Sequence, residues 1–343
     1  MSNADHSPVA SLAPENSPVA SLAPEHSPGA SLAPEHSPGA SLAPEHSPVA
    51  SLAPACSSYT QVTDLRAADP GAVAKAWQNR TTRPTIQGDG RLMIVAADHP
   101  ARGALAVGNR PTAMNSRTDL LDRLRAALAD PGVDGVLATA DILDDLLLLG
   151  ALENKVVFSS FNRGGLAGAA FEFDDQMTGA TADSTAAANM NGGKMLCRIA
   201  LEDPGTVATM AACAKAVDEL AAHGLIAMLE PFMSSRVNGK VRNDLSPDAV
   251  IKSVHIGQGL GSTSAYTWMK LPVVDEMDRV MESTTLPTLL LGGDPPDPDE
   301  AFASWEKALG LPSVRGLIVG RTLLYPADDD VSSAVATAVS MVR

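Results

Sequence analysis

Three cysteines in 343 residues are too few, and too irregularly spaced, for a zinc knuckle or an even disulfide framework. Cys56, Cys197 and Cys213 fit a reducing compartment, and the expected location is the cytoplasm. Basic charge is scarce as well: 25 Lys and Arg stand against 40 Asp and Glu, a net charge of −15. Phosphate backbones are held by basic patches, so nucleic acid is not an expected partner. No apolar run approaches the ~20 residues of a membrane span, and the N-terminus lacks the basic start and apolar core of a secretory signal. Neither Gly-x-Gly-x-x-Gly nor Gly-x-x-x-x-Gly-Lys-Ser/Thr occurs, so the glycine-rich turns that cradle nucleotide phosphates are missing.

What is present divides into two parts. Residues 7 to 56 repeat a ten-residue unit, Ser-Pro-Val/Gly-Ala-Ser-Leu-Ala-Pro-Glu-His/Asn, beginning at Ser7, Ser17, Ser27 and Ser37, with a fifth copy from Ser47 ending in Ala55-Cys56. Two prolines per unit deny the backbone a regular ladder, and one leucine cannot offset the entropy of ordering. Residues 1–58 therefore read as a disordered, extended tail. His26, His36 and His46 recur too far apart on such a chain to suggest a metal site and read as solvated.

Residues 59–343 have the length of one (β/α)8 barrel. Eight short apolar runs suit parallel strands covered on both faces: 91–98, 133–140, 155–161, 194–199, 225–230, 266–271, 287–292 and 315–319. Helix starts stand between them at Ser116, Asp203-Pro204, Ser246-Pro247 and Asp297-Pro298. An extra helix from Asp69-Pro70 through Trp77 is expected to cover the barrel bottom. The fold expected is α/β: a single (β/α)8 TIM barrel preceded by the repeat tail.

Barrel enzymes place their chemistry at the C-terminal ends of strands. The polar residues expected there are Asp98, Asp141, Asn162-Arg163, Lys194, Glu230, Lys270, Gly292-Gly293 and Gly320-Arg321. Of eight lysines in the body, Lys194 and Lys270 are the most embedded in apolar sequence. A lysine in such surroundings loses its proton or finds a partner, and a neutral amine attacks carbonyls. The plainer alternative is a strand-end lysine with its stem on apolar surface and its charge in water. His99, at a strand end, has too few histidine companions for a metal-dependent site.

In order, Ile94-Val-Ala-Ala-Asp98-His99, Gly193-Lys194-Met195-Leu196, Met228-Leu229-Glu230-Pro231, Trp268-Met269-Lys270-Leu271-Pro272-Val273 and Gly320-Arg321 resemble the class I aldolases of the deoxyribose-phosphate/tagatose-bisphosphate aldolase superfamily, and the tagatose-bisphosphate branch most. The resemblance spans roughly residues 91 to 325. It implies a Schiff base on Lys270, proton transfer by Glu230, electrostatic tuning by Lys194, and orientation of Lys270 or a hydroxyl by Asp98. It also implies a phosphate held by Gly292, Gly293, Gly320 and Arg321, with no metal and no cofactor.

The chain departs from that family at Leu290-Leu291, where a serine commonly precedes the glycines, and at Asp294, whose carboxylate would repel a phosphate. Arg163 in a polar third strand suggests a carboxylate or second phosphate, as in a dehydro-deoxy-phosphogluconate type of substrate; pairing with Glu172 or Asp174 is the alternative. The expected partner is a small phosphorylated sugar, with a homo-oligomer open. The competing functional class is a non-catalytic metabolite-binding or regulatory barrel with a recruited fold.

Overall fold

A computed structural model of the chain describes residues 55–293 and 298–343. The repeat tail, up to residue 54, and Asp294 lie outside the described residues. Among the described residues Cys56 already packs on the body: its side chain is buried and its amide donates to the carbonyl of Leu148.

Among the described residues nine strands follow in chain order: β1 (Leu92–Ala96), β2 (Gly135–Ala138), β3 (Val156–Ser160), β4 (Gly192–Ile199), β5 (Ile226–Val237), β6 (Lys240–Asn243), β7 (Thr267–Pro272), β8 (Thr288–Leu291) and β9 (Val314–Val319). Eight of them pair in parallel, each with its neighbours, and the first and last, β1 and β9, pair with each other so that the ring is closed. Helices lie between successive strands, among them Arg117–Ala129, Gly205–Ala222, Pro247–Gln258 and Pro298–Leu309. The helix starts expected from the sequence are met to within a residue or two. Ser116 and Ser246 cap theirs by accepting from the amides of Asp119 and Ala249.

Side-chain alternation sorts the core into two clusters. Leu92, Ile94, Leu137, Val156, Phe158, Met228, Leu289 and Ile318 fill the barrel interior. Their neighbours Met93, Val95, Val136, Val157 and Leu229 face the helices, where Leu120, Leu124, Val217, Leu220 and Val254 meet them. Burying each such side chain contributes about 1.5–3 kcal/mol, so both layers are needed to hold the strands closed.

Two features differ from the sequence reading. Two helices, Tyr59–Ala68 and Gly71–Asn79, precede β1 where one was expected, and Arg66 and Trp77 tie them to Asp145 and Asp144 of the outer helix Ala140–Leu148. Arg80, just after the second, donates to the carbonyls of Leu152, Lys155 and Asn189 and so ties it to the strand entries. In addition, β5 does not stop at Glu230 but runs on to Val237 and turns back antiparallel as β6. Asn238 and Gly239 make that turn with φ of 51° and 74°. Both central residues of such a tight turn need positive φ, which is why Asn-Gly stands there. Beyond the barrel, Arg236 of this hairpin lies 5.0 Å over the Phe173 ring and donates to the carbonyls of Ala169 and Ala170. The hairpin therefore clips the long loop that follows β3.

Candidate active site

At the C-terminal end the alternation that fills the interior brings polar groups inward. Asp98, Ser160, Glu230 and Lys270 each stand two residues beyond an interior apolar residue: Ala96, Phe158, Met228 and Trp268. Lys194 sits opposite Ser160 in the register of β3 with β4. Each is under 10% exposed, and Lys194 and Asp98 only 2%. Five strands thus aim charged or hydroxyl groups into one dry volume.

The contacts are dense. Nζ of Lys270 donates to Oε1 of Glu230 at 2.8 Å, while Nζ of Lys194 pairs with Oε2 of the same carboxylate. Lys194 also reaches Oδ2 of Asp98 at 3.1 Å, as does the Ser160 hydroxyl. Arg163 forms an ion pair with Asp98. The side-chain amide of Asn162 bridges both backbone groups of Leu196, which fixes the end of β3 to β4.

Electrostatics follow from burial plus these pairs. Burial pushes Lys194 well below the ordinary lysine value, opposed by Glu230 and reinforced by Lys270 and Arg163. Burial also lowers Lys270, again against the pull of Glu230. Burial alone would raise the Glu230 carboxyl, yet the two ammonium groups hold it well below the usual carboxylate range. Arg163 is brought down to about 10 by burial, and so remains a cation at neutral pH. Burial and then Arg321 and Lys270 push His99 down to about 3.

Several sequence expectations need correction. Asp141 caps no strand: it lies in the first turn of helix Ala140–Leu148, half exposed, and pairs with Arg117. A residue just past a strand end can equally be the first of the next helix. Asp98 reaches Lys194, and not Lys270 as the resemblance allowed. The partner of Arg163 is Asp98, and Glu172 is taken by Arg198 of β4. Of the expected phosphate residues, Gly292 and Gly320 sit where a side chain would not fit. A Cβ there would come within 2.5 Å of Val319 and 2.3 Å of the Ala96 carbonyl. Gly293 has open space and a φ of 65°. Arg321 is near enough to lower both Lys270 and His99.

Reading from sequence passed over Ser160 as a partner of Asp98 and over Asn162 as the clamp between β3 and β4. Both were signalled by polar residues in a strand otherwise flanked by apolar neighbours. Among the described residues no cluster of three or more His, Cys, Asp or Glu has metal-ligand geometry, and no helix is long and apolar enough to cross a membrane.

The fold and its gathered charges define a closed parallel (β/α)8 barrel with a paired-lysine site at its C-terminal end. More particularly, the chain belongs to the Cgl0159-like family, whose profile matches residues 90–339. The crystal structure of Cgl0159 from Corynebacterium glutamicum is 59% identical, with a TM-score of 0.82, over 83% of this chain and 96% of that one. A Schiff-base-forming fructose-1,6-bisphosphate aldolase is similar in fold at 15% identity, with a TM-score of 0.56 over 79% of this chain and all of that one. So is an archaeal fructose-1,6-bisphosphate aldolase whose catalytic Lys is covalently bound to the carbinolamine intermediate, at 15% identity and a TM-score of 0.55, over 79% of this chain and 99% of that one. No curated protein matches the chain.

Proposed function

We propose that the chain is a class I aldolase, of the deoxyribose-phosphate/tagatose-bisphosphate aldolase superfamily and nearest its tagatose-bisphosphate branch. It cleaves or forms a carbon–carbon bond in a phosphorylated ketose, or in a dehydro-deoxy sugar acid phosphate, through an imine on Lys270. The observation that carries this reading is the pair of buried lysines sharing the Glu230 carboxylate. Two ammonium groups about one carboxylate leave a surplus cation in a dry site, and the surplus is relieved when one amine gives up its proton. The aldolase fold of the Schiff-base neighbours is consistent with it.

Lys270 is assigned the nucleophile because it contacts one carboxylate, whereas Lys194 contacts two. Deeper burial lowers Lys194 more; the extra carboxylate is the reason to keep Lys194 as the cation. Neutral Nζ of Lys270 adds to the ketone carbon, and the carbinolamine hydroxyl leaves as water after protonation. Glu230, touching both amines, carries that proton from Lys194. The iminium then accepts the electron pair of the breaking carbon–carbon bond. Addition of water to the imine returns the amine.

Gly292, Gly293, Gly320 and Arg321 are assigned the phosphate, as backbone donors with a guanidinium fork. Arg163 is assigned a second anionic group of the substrate, for which it must exchange its contact with Asp98. If that group is a carboxylate, Arg163→Ala raises KM for a sugar acid phosphate far more than for a neutral ketose phosphate; equal effects remove the assignment.

Borohydride trapping with dihydroxyacetone phosphate and a panel of ketose phosphates, followed by peptide mass spectrometry, tests the reading. An adduct on Lys270 is expected. An adduct on Lys194 keeps the class and reverses the two lysines, while no adduct in folded protein overturns the aldolase and leaves a binding barrel.

A further inference from the structure

Breaking a carbon–carbon bond beside an imine needs a proton acceptor for the hydroxyl on the departing carbon. Both carboxylates of the site are poorly suited to it. Glu230 stands between Lys194 and Lys270, and Oδ2 of Asp98 takes Lys194, Ser160 and Arg163. Contacts with cations favour the ionised form, so neither group holds a proton for long: Glu230 relays one between the two amines it touches but is a weak acceptor for a substrate hydroxyl.

His99 directly follows Asp98 at the end of β1. Its Nδ1 is buried and makes no hydrogen bond among the described residues. It lies 3.8 Å from Oδ1 of Asp98, the oxygen opposite the one that Lys194 and Ser160 use. The side chain keeps 29% of its exposure. The ring stands against the same Asp98 carboxylate that Lys194 and Ser160 contact, and Lys194, Glu230, Lys270 and Arg321 all act on its charge.

We propose that His99, backed by Asp98, is the catalytic base that takes the hydroxyl proton during carbon–carbon cleavage. The inference rests on the aldolase reading above. When the 3.8 Å approach shortens to a hydrogen bond from Nδ1–H to Oδ1, that bond fixes the tautomer and leaves Nε2 with a free lone pair, the arrangement by which a carboxylate aims a histidine base. Such bonds are often long before substrate binds and tighten afterwards.

In the cleavage step Nε2 accepts the hydroxyl proton and the O–H pair becomes the aldehyde carbonyl. The carbon–carbon bond breaks, and its electron pair reduces the iminium to the neutral enamine. After the aldehyde leaves, the imidazolium returns the proton to the enamine carbon, which restores the iminium for hydrolysis. No oxidant or reductant is consumed. Before substrate binds, burial and the cationic Arg321 and Lys270 keep the ring neutral but weakly basic. A phosphate dianion against Arg321 offsets one of those charges and makes the ring a stronger base when the site is loaded.

The test uses the full chain, its His99→Gln and His99→Asn variants, and dihydroxyacetone phosphate as the probe. Two readings are taken: borohydride trapping, and exchange of the carbon-bound hydrogen beside the imine for deuterium in heavy water, followed by NMR. Trapping is expected to persist in both variants, while exchange falls by about 10²-fold or more, the usual share of a general base. The wild-type exchange rate should also lose its acidic limb in the variants. Undiminished exchange with trapping intact overturns His99 and returns the proton to Glu230. Loss of trapping in folded variants also overturns it, by assigning His99 to imine formation, and so does trapping without exchange in the wild type. Absence of trapping in the wild type removes the aldolase reading itself.

Discussion

The two ends of the barrel both bury charge, and they do so in opposite ways. At the bottom Asp134 is 5% exposed, and its carboxylate accepts from Arg83, Arg343 and the Met93 amide. Nearby, Arg80 donates to three carbonyls. Each bottom charge is met by a partner that comes from a different segment, so the pairs act as ties between the N-terminal helices, the strand entries and the C-terminus. At the top Lys194, Lys270 and Arg163 gather around Asp98 and Glu230, with Arg321 near enough to lower Lys270. Matched buried charge stiffens a fold; surplus buried charge of one sign invites a proton to leave or an anion to bind.

The sharpest way to test the contrast is to remove the surplus amine. Lys270→Ala is expected to abolish borohydride trapping and to lower turnover by about 10⁴-fold or more, while the melting temperature holds or rises, because one of two repelling cations has gone. A melting temperature that collapses would make the top a tie like the bottom. Glu230→Gln should lower turnover by about 10²–10⁴-fold, with binding of a ketose phosphate less affected, read as a kcat loss exceeding the KM change.

Asp134→Ala should do the reverse. It takes the carboxylate from Arg83 and one of two from Arg343, and should cost about 3 kcal/mol in denaturant unfolding, with trapping at Lys270 unchanged in the folded fraction.

The pH dependence separates the ends further. With its value in the fold lowered from 10.5, Lys270 becomes a free amine at lower pH than an ordinary lysine, so adduct formation should rise with pH along a limb below 10.5. For stability the sign is set by Glu230. Its value in the fold lies below the 4.5 of the unfolded chain, so its contribution is complete above 4.5 and is lost as pH falls. The smallest effect expected is from deleting residues 1–54, judged by their apolar-poor repeats. Activity and melting temperature should stay nearly constant, measured side by side with the full chain. Extending the cut through Cys56 removes a buried side chain and a backbone bond to Leu148, and should lower the melting temperature.

Lys194, Glu230 and Lys270 could be picked out from the sequence because a charge inside an apolar strand contradicts its surroundings. The eight strands were legible for the same reason, as near-continuous apolar runs. The hairpin beyond Glu230 was not, since Pro231 through Arg236 leaves the alternation of a buried strand, although Asn238-Gly239 carried the turn signal. Pairing was the least legible part. Nothing in the one-dimensional order tells Arg163 to choose Asp98 over Glu172, because that choice depends on Arg198 occupying Glu172 first.

The β4–β5 seam has a consequence of its own. It runs in register from Gly192–Ile226 to Ile199–Met233, and it carries Lys194 on one side and Glu230 on the other. Pairing of these two successive strands and assembly of the charged pair are therefore a single event. A barrel opened at that seam would keep most of its secondary structure and lose the shared carboxylate. Imine trapping thus doubles as a gauge of that pairing, and fragments cut between the two strands should recover it only when they recombine.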